Sequence, residues 1–340
     1  MKHTFRFAAR TLCALLCLLL LCTALISCSA SRPIKATKQD MTVVALCGEH
    51  EIYYDELRYI TLAYRDELAA RYGEYIWTDA ALTEQYRPLL IEHVKESLKI
   101  NAAIVDLCAE FNIDINSVDI QKAVQDEIDA TVEALGGRAV YKKMIKEMYM
   151  TDRFIRYSYA ADLCESLLCQ TLVSAELIVG SELDFVEYAM NDEVMCATYQ
   201  IYIENDKGDS VEQNRQRAEE VRNLLLSGTD IKALIGSSYN EDVSAPSIPY
   251  YFMRGEYEPS YEQAAFALDI GEVSEVIEGE NGFYVIVRQE LKQSQLVANL
   301  TELYQRYQYI EVEALLAEHR DAMTLEWTEY GEKIDLVTMK

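Results

Sequence analysis

Residues 252–287 read FMRGEYEPSYEQAAFALDIGEVSEVIEGENGFYVIV. The stretch separates into the end of an aromatic, proline-bearing loop that reaches back to Pro246, a short helix from Tyr261 to Leu268, and two apolar runs, Val273–Ile277 and Phe283–Val287. The runs are joined by Glu278-Gly279-Glu280-Asn281-Gly282, and a turn that closes on Asn-Gly between apolar runs signals a hairpin. Upstream, Met195–Ile203 (MCATYQIYI) is rich in strand formers, Gln213–Ser227 is an amphipathic helix stopped by Gly228, and Ile231–Ser238 is a shorter helix. Together these pieces make a compact β-α-α-α-β-β unit.

On the amino-terminal side the texture is helical. Thr42–Leu46 and Glu51–Tyr53 are short strands around a Gly48-Glu49-His50 turn, and Asp55 is placed to cap the helix that follows. Leu57, Ile60, Tyr64 and Leu68 form one apolar stripe that Gly73 ends. Leu90, Val94, Leu98, Ala102, Val105 and Cys108 form a longer one that ends near Phe111. Asn116-Ser117-Val118-Asp119 opens a helix that runs to Gly136-Gly137, and two more follow, Ala139–Met148 and Asp152–Leu172, the latter capped by Thr151. After the β-rich unit, Leu296, Leu300, Leu303, Tyr307, Ile310 and Ala314 keep one helical face, and Met323–Trp327 could close a sheet. A helix that long needs an apolar partner, so residues 192–291 read as an insertion between two parts of one helical domain, 42–191 and 292–340. The fold class is α+β.

The chain begins with a targeting segment over residues 1–27: Lys2, Arg6 and Arg10, then an apolar run from Thr11 to Ile26. That run is too short to be a good permanent span. It ends in Leu25-Ile26-Ser27-Cys28, which resembles the lipobox of bacterial lipoproteins; the resemblance implies cleavage before Cys28 and diacylglycerol on its thiol. An ordinary secretory signal with a chance cysteine is the plainer reading. Residues 28–41 have no apolar periodicity and read as a tether.

The 340 residues carry a net charge of −26, which becomes −29 when the three signal cations are removed. Such a field repels nucleic acid and anionic lipid surfaces, so a lipid on Cys28, and not charge, would hold the chain at a membrane. Five of the nine cysteines, Cys47, Cys108, Cys164, Cys169 and Cys196, lie beyond the lipobox without metal-ligand spacing. They read as small buried hydrophobes, and no metal or cofactor is expected. No Gly-rich phosphate loop or nucleophile elbow occurs.

Residues 195–290 resemble the parvulin-type peptidyl-prolyl isomerase domain. ATYQIYI stands at the family's first strand, LLLSGTDIKALIGSSYNED at its helix-Gly-helix-Tyr-Ser-x-Asp stretch, and residues 252–287 at its Phe-x-x-Gly, Pro-x-Phe-Glu helix, Gly-Glu-Val-Ser and closing strand. Residues 42–172, with VALCGEHEIYYDEL and EFNIDINSVDI, look like the chaperone domain of PrsA-type and SurA-type secretion foldases. The resemblance implies that the loop walls a proline slot floored by Pro249, Tyr257 and Tyr261, where the family usually has Leu, Met and Phe. Phe266 would pack behind them, and Phe252 belongs either to the slot or to the core.

The family's two facing histidines are replaced: the chain's four, His3, His50, His93 and His319, all lie outside this unit. Gln200 and Tyr284 take their positions, and both can donate and accept, so they could form a hydrogen-bonded floor. Asp242 takes the family's Cys/Asp position; a capping carboxylate in a turn is the alternative. X-Pro rotation breaks no bond and needs no nucleophile, so histidine is useful but not obligatory. The expected function is an extracytoplasmic, lipid-anchored foldase whose isomerase-like unit turns over weakly or not at all. A fully active isomerase is the alternative, and a solute-binding lipoprotein fits less well because residues 42–172 lack strand-helix-strand repeats. Its partners would be unfolded or partly folded exported proteins with proline segments, not nucleic acid; a homodimer is left open.

Overall fold

The computed structural model describes residues 36–205, 210–244 and 248–340. The signal segment, Cys28 and the start of the tether lie outside the described residues. The protein is an α+β molecule whose chain divides into two compact units, residues 36–172 with Val312–Lys340, and Val173–Glu311.

The first unit begins with β1 (Val43–Cys47) and β2 (His50–Tyr53), paired antiparallel around a turn in which Gly48 has φ +59°. Helix α1 (Tyr54–Tyr72) follows directly and ends, as expected, at Gly73. Asp55 is not its cap. Its carboxylate is fully buried, taken by Arg153 in a two-pronged contact (Nε at 3.0 Å) and by the Thr151 hydroxyl, so it is spent on holding another helix. Glu56 beside it is enclosed as well, and burial pushes its carboxyl up to about 8 against the pull of Arg153.

Helix α2 (Ala80–Glu110) starts ten residues before the stripe that Leu90 opens. The Asp79 carboxylate caps it by accepting the N–H groups of Ala81 and Leu82. Its first turns are mostly exposed and contain Pro88, so no apolar stripe betrays them. Helices α3 (Val118–Ala134), α4 (Arg138–Glu147) and α5 (Asp152–Ser174) follow the expected order. Ser117 caps α3 through Ile120 N–H, and Thr151 caps α5 through Phe154 N–H.

The second unit opens with α6 (Glu182–Ala189), a helix the sequence pattern leaves unassigned, capped by Ser181. Then come β3 (Met195–Glu204), α7 (Val211–Leu226), α8 (Ile231–Ile235), β4 (Tyr250–Met253), α9 (Pro259–Ala267), β5 (Ile277–Gly279), β6 (Gly282–Gln289) and α10 (Gln293–Ala298). The sheet runs β4-β3-β6-β5, all antiparallel. Strand β3 is buried on both faces. Tyr199, Ile201 and Ile203 pack on Val221 and Leu225 of α7 and Leu234 of α8, while Cys196, Thr198 and Gln200 face α9.

Two local expectations are corrected here. The strand placed over Val273–Ile277 is reduced to an isolated Val273–Val287 bridge and the short β5, because the Ser274 hydroxyl takes the Ile286 N–H at 3.0 Å in place of a main-chain carbonyl. The hairpin closes on Glu280-Asn281, with Gly279 and Gly282 paired, so Asn-Gly is not the turn's centre. Gly282 serves close approach instead: a Cβ there would stand 2.2 Å from the Ile203 carbonyl oxygen.

Helix α11 (Leu300–Ala322) gives its first half to this unit, where Tyr304 and Tyr307 pack on Phe185 of α6 and Arg306 grips Glu256. Its second half belongs to the first unit, as does β7 (Leu325–Trp327), which pairs with β1 as the sheet's third strand, order β2-β1-β7. The core there joins Val44, Leu57, Leu90, Val94 and Leu98 to Leu336, Val337 and Met339. A cavity of about 420 Å³ in the same unit is lined by Asp106, whose carboxylate lies between His319 (2.9 Å) and His50 (3.4 Å). Cys47, Cys108 and Cys164 are buried in this unit and Cys196 in the other; Cys169 is half-buried, and all five are free thiols.

Candidate functional site

The face of the four-stranded sheet turned toward α9 carries the polar groups. Gln200 lies at mid-strand in β3 and is 8% exposed. Both ends of its amide are taken: Oε1 accepts the Tyr261 hydroxyl at 2.9 Å, and Nε2 donates to Asp242 Oδ2 at 2.7 Å. The Tyr261 hydroxyl also pairs with Thr198 Oγ1 at 2.8 Å. Asp242 Oδ2 accepts a second donor, the Tyr250 hydroxyl, at 2.6 Å, while Oδ1 accepts Ser244 N–H at 2.9 Å. Thr198, Tyr261, Gln200, Asp242 and Tyr250 therefore form one continuous hydrogen-bonded chain.

Tyr284 stands apart from it. In register β6 places Tyr284 opposite Tyr202 and Ile286 opposite Gln200. Its ring stacks on Tyr202 at 4.7 Å and meets Tyr261 edge-on at 5.2 Å and 83°. Its hydroxyl is turned to the Glu258 carboxylate. Gln200 and Tyr284 do not bond each other: the first pairs with Tyr261 and Asp242, the second with Glu258. Gly279 makes room for this arrangement: a Cβ there would lie 2.4 Å from Glu258 Oε1 and 2.6 Å from Tyr284 Cε2.

The loop residues fall into two groups. Phe252 and Tyr261 are 0% exposed, and Pro249 is buried, so these three lie beneath the surface and not on it. Tyr257, half-buried, stacks on Tyr261 at 4.8 Å and 18°. Phe266 packs perpendicular to Phe252 at 5.9 Å, with the Arg254 guanidinium 3.9 Å over its ring. A cavity of about 420 Å³ opens beside it, lined by Arg254, Pro259, Glu262, Gln263, Phe266 and Ala267 and not by the polar chain. Glu256 steadies the loop by accepting Met253 N–H and Arg306.

Burial pushes the phenols of Tyr250, Tyr257, Tyr261 and Tyr284 above the ordinary tyrosine range, with nearby carboxylates or phenols adding to the effect. All four remain neutral donors at physiological pH. The site thus presents the half-buried phenol rings of Tyr250, Tyr257 and Tyr284, neutral hydrogen-bond donors and one carboxylate, and it holds no imidazole. Thr198, Tyr250 and Glu258 escape sequence reading. Strand alternation could have flagged Thr198, two residues before Gln200, but nothing local announces Tyr250 or Glu258.

Residues 196–290 match the rotamase family described as the PPIC-type PPIase domain. The chain is 23% identical over 284 residues to the foldase protein PrsA of Caldanaerobacter subterraneus subsp. tengcongensis, covering 82% of this chain and 81% of that one. It is 34% identical over 95 residues to the PrsA of Halalkalibacterium halodurans, covering 27% of this chain and 28% of that one. A crystal structure of a peptidylprolyl isomerase (PrsA) from Bacillus anthracis aligns at 16% identity and a TM-score of 0.39, covering 65% of this chain and 93% of that one. The chain carries a PPIC-type, parvulin-like domain over residues 196–290 and is a relative of the PrsA-type foldases.

Proposed function

We propose that the chain from Cys28 onward is a lipid-anchored foldase working outside the cytoplasm on exported, incompletely folded proteins. Residues 42–191 and 292–340 would hold clients, and residues 192–291 would bind their proline segments with little or no turnover. The observation that carries this reading is the state of the polar face: the Gln200 amide, which by the resemblance replaces a family histidine as Tyr284 does the other, is engaged at both ends by its own neighbours. An isomerase must offer groups matched to the twisted amide. Contacts already satisfied within the protein serve that need poorly, and losing them costs about 2–4 kcal/mol of barrier lowering, or roughly 30- to 1000-fold in rate.

The test uses the chain from residue 28 with two assays. Suppression of aggregation of a chemically unfolded client is expected to be retained, and isomerisation of a proline tetrapeptide is expected to lie near background. Fast turnover abolished by Asp242→Ala would replace this reading with that of an active isomerase. Loss of aggregation suppression in the intact chain would remove the foldase reading. Anchoring is checked separately: Cys28→Ala should move the exported chain from the membrane to the soluble fraction.

A further inference from the structure

We propose that Tyr250 is the positioning residue of this face, the group that aims the Asp242 carboxylate and, through it, the Gln200 amide. The inference rests on the proposal that the face binds proline segments. Asp242 sits on the connection between α8 and β4, whose backbone is tied to β3 by Glu241 N–H on the Tyr202 carbonyl at 2.8 Å, while its own side chain belongs to no ladder. Its orientation must come from donors. Three are present: Ser244 N–H on Oδ1, and Gln200 Nε2 with the Tyr250 hydroxyl on Oδ2.

These three are not equivalent. Ser244 is two residues on in the same connection, and its N–H holds only Oδ1. Gln200 is the group being aimed. Tyr250 is the first residue of β4, is paired in register with Thr198 of β3, and carries a rigid ring with few rotamers. Its hydroxyl therefore transmits the sheet's own geometry to the carboxylate. Burial holds the phenol well above the ordinary tyrosine range, so it stays a donor throughout the physiological pH range. The Ser244 side chain completes the relay by donating to the same phenol oxygen.

With the carboxylate aimed, Gln200 has one amide orientation only: Nε2 toward Asp242 and Oε1 toward Tyr261. Without Tyr250, the donors left to the Asp242 carboxylate are Ser244 N–H and the very Gln200 amide it has to aim. The Gln200 amide then loses a fixed acceptor, and the polar face loses its defined pattern.

The experiment compares the full chain from residue 28 with Tyr250→Phe, which keeps the ring and deletes only the donor. The readouts are the Gln200 side-chain NH₂ resonance, assigned by its loss in Gln200→Leu, and the affinity for a proline tetrapeptide. The expected result is a displaced Gln200 resonance with roughly 3- to 10-fold weaker peptide binding, the scale of one hydrogen bond to a charged group shared among several donors. Ser244→Ala should move the resonance far less. An unmoved Gln200 resonance in Tyr250→Phe, or a moved one with unchanged affinity, overturns the proposal. Should the parent chain bind no proline peptide, the functional reading falls and the binding part of the proposal falls with it, while the resonance still shows separately whether Tyr250 aims the amide.

Discussion

Glu56 is a carboxyl without room for its charge. Burial raises its folded pKa from the ordinary 4.5 to about 8, so the folded chain keeps a proton that the unfolded chain gives up. The stability this proton brings is full below pH 4.5 and drains away as pH climbs toward 8, at on the order of 1 kcal/mol per pH unit. Denaturant unfolding should accordingly show a weaker protein at pH 8 than at pH 5.5, and Glu56→Gln should flatten that slope. An undiminished slope in the variant would place its source elsewhere. At this scale the sequence was legible only in part. Gln200 and Asp242 could be picked out by matching a motif, and they do meet. Asp55 read as a cap and became a buried counter-ion, because its partner Arg153 lies 98 residues away and no local pattern encodes that pairing.

Elements were easier to read than their fastenings. Stripes at helical spacing placed α1 and the body of α2, and cap and stop signals placed α3 and α5, while an exposed face and Pro88 hid the opening turns of α2. What holds α9 to the sheet was not visible at all. Arg288 of β6, 4% exposed, donates to the Ala265 carbonyl at 2.9 Å and the Asp192 carbonyl at 3.1 Å. It thus places a cation at the carboxyl end of α9, where the helix dipole favours one. Arg288→Met keeps much of the volume and deletes these donors. It should cost about 2–4 kcal/mol in urea unfolding, and α9 should lose amide-exchange protection before the β3–β6 pair does. Equal loss of protection across the sheet would show that Arg288 fastens more than the helix.

For the whole chain, the extreme acidity argues against nucleic-acid partners, and the order of strands and helices in the sequence points to the α+β architecture that the structure has. The closing residues mattered more than their sequence suggested. β7 lies against β1, and Leu336, Val337 and Met339, each under 9% exposed, complete the core around Leu57 and Leu90. Each buried side chain of this kind contributes about 1.5–3 kcal/mol. Removal of residues 325–340 should therefore open the helical unit, seen as new protease cleavage within residues 36–172. A truncated chain as resistant as the parent would refute that role.

The buried thiols offer an internal clock for such events. Cys196 lies in one compact unit and Cys47, Cys108 and Cys164 in the other, all shielded from solvent. An alkylating reagent can reach each only when its surroundings open. Labelling rates followed by mass spectrometry would therefore time the breathing of each unit separately, in the unaltered chain and without any attached dye.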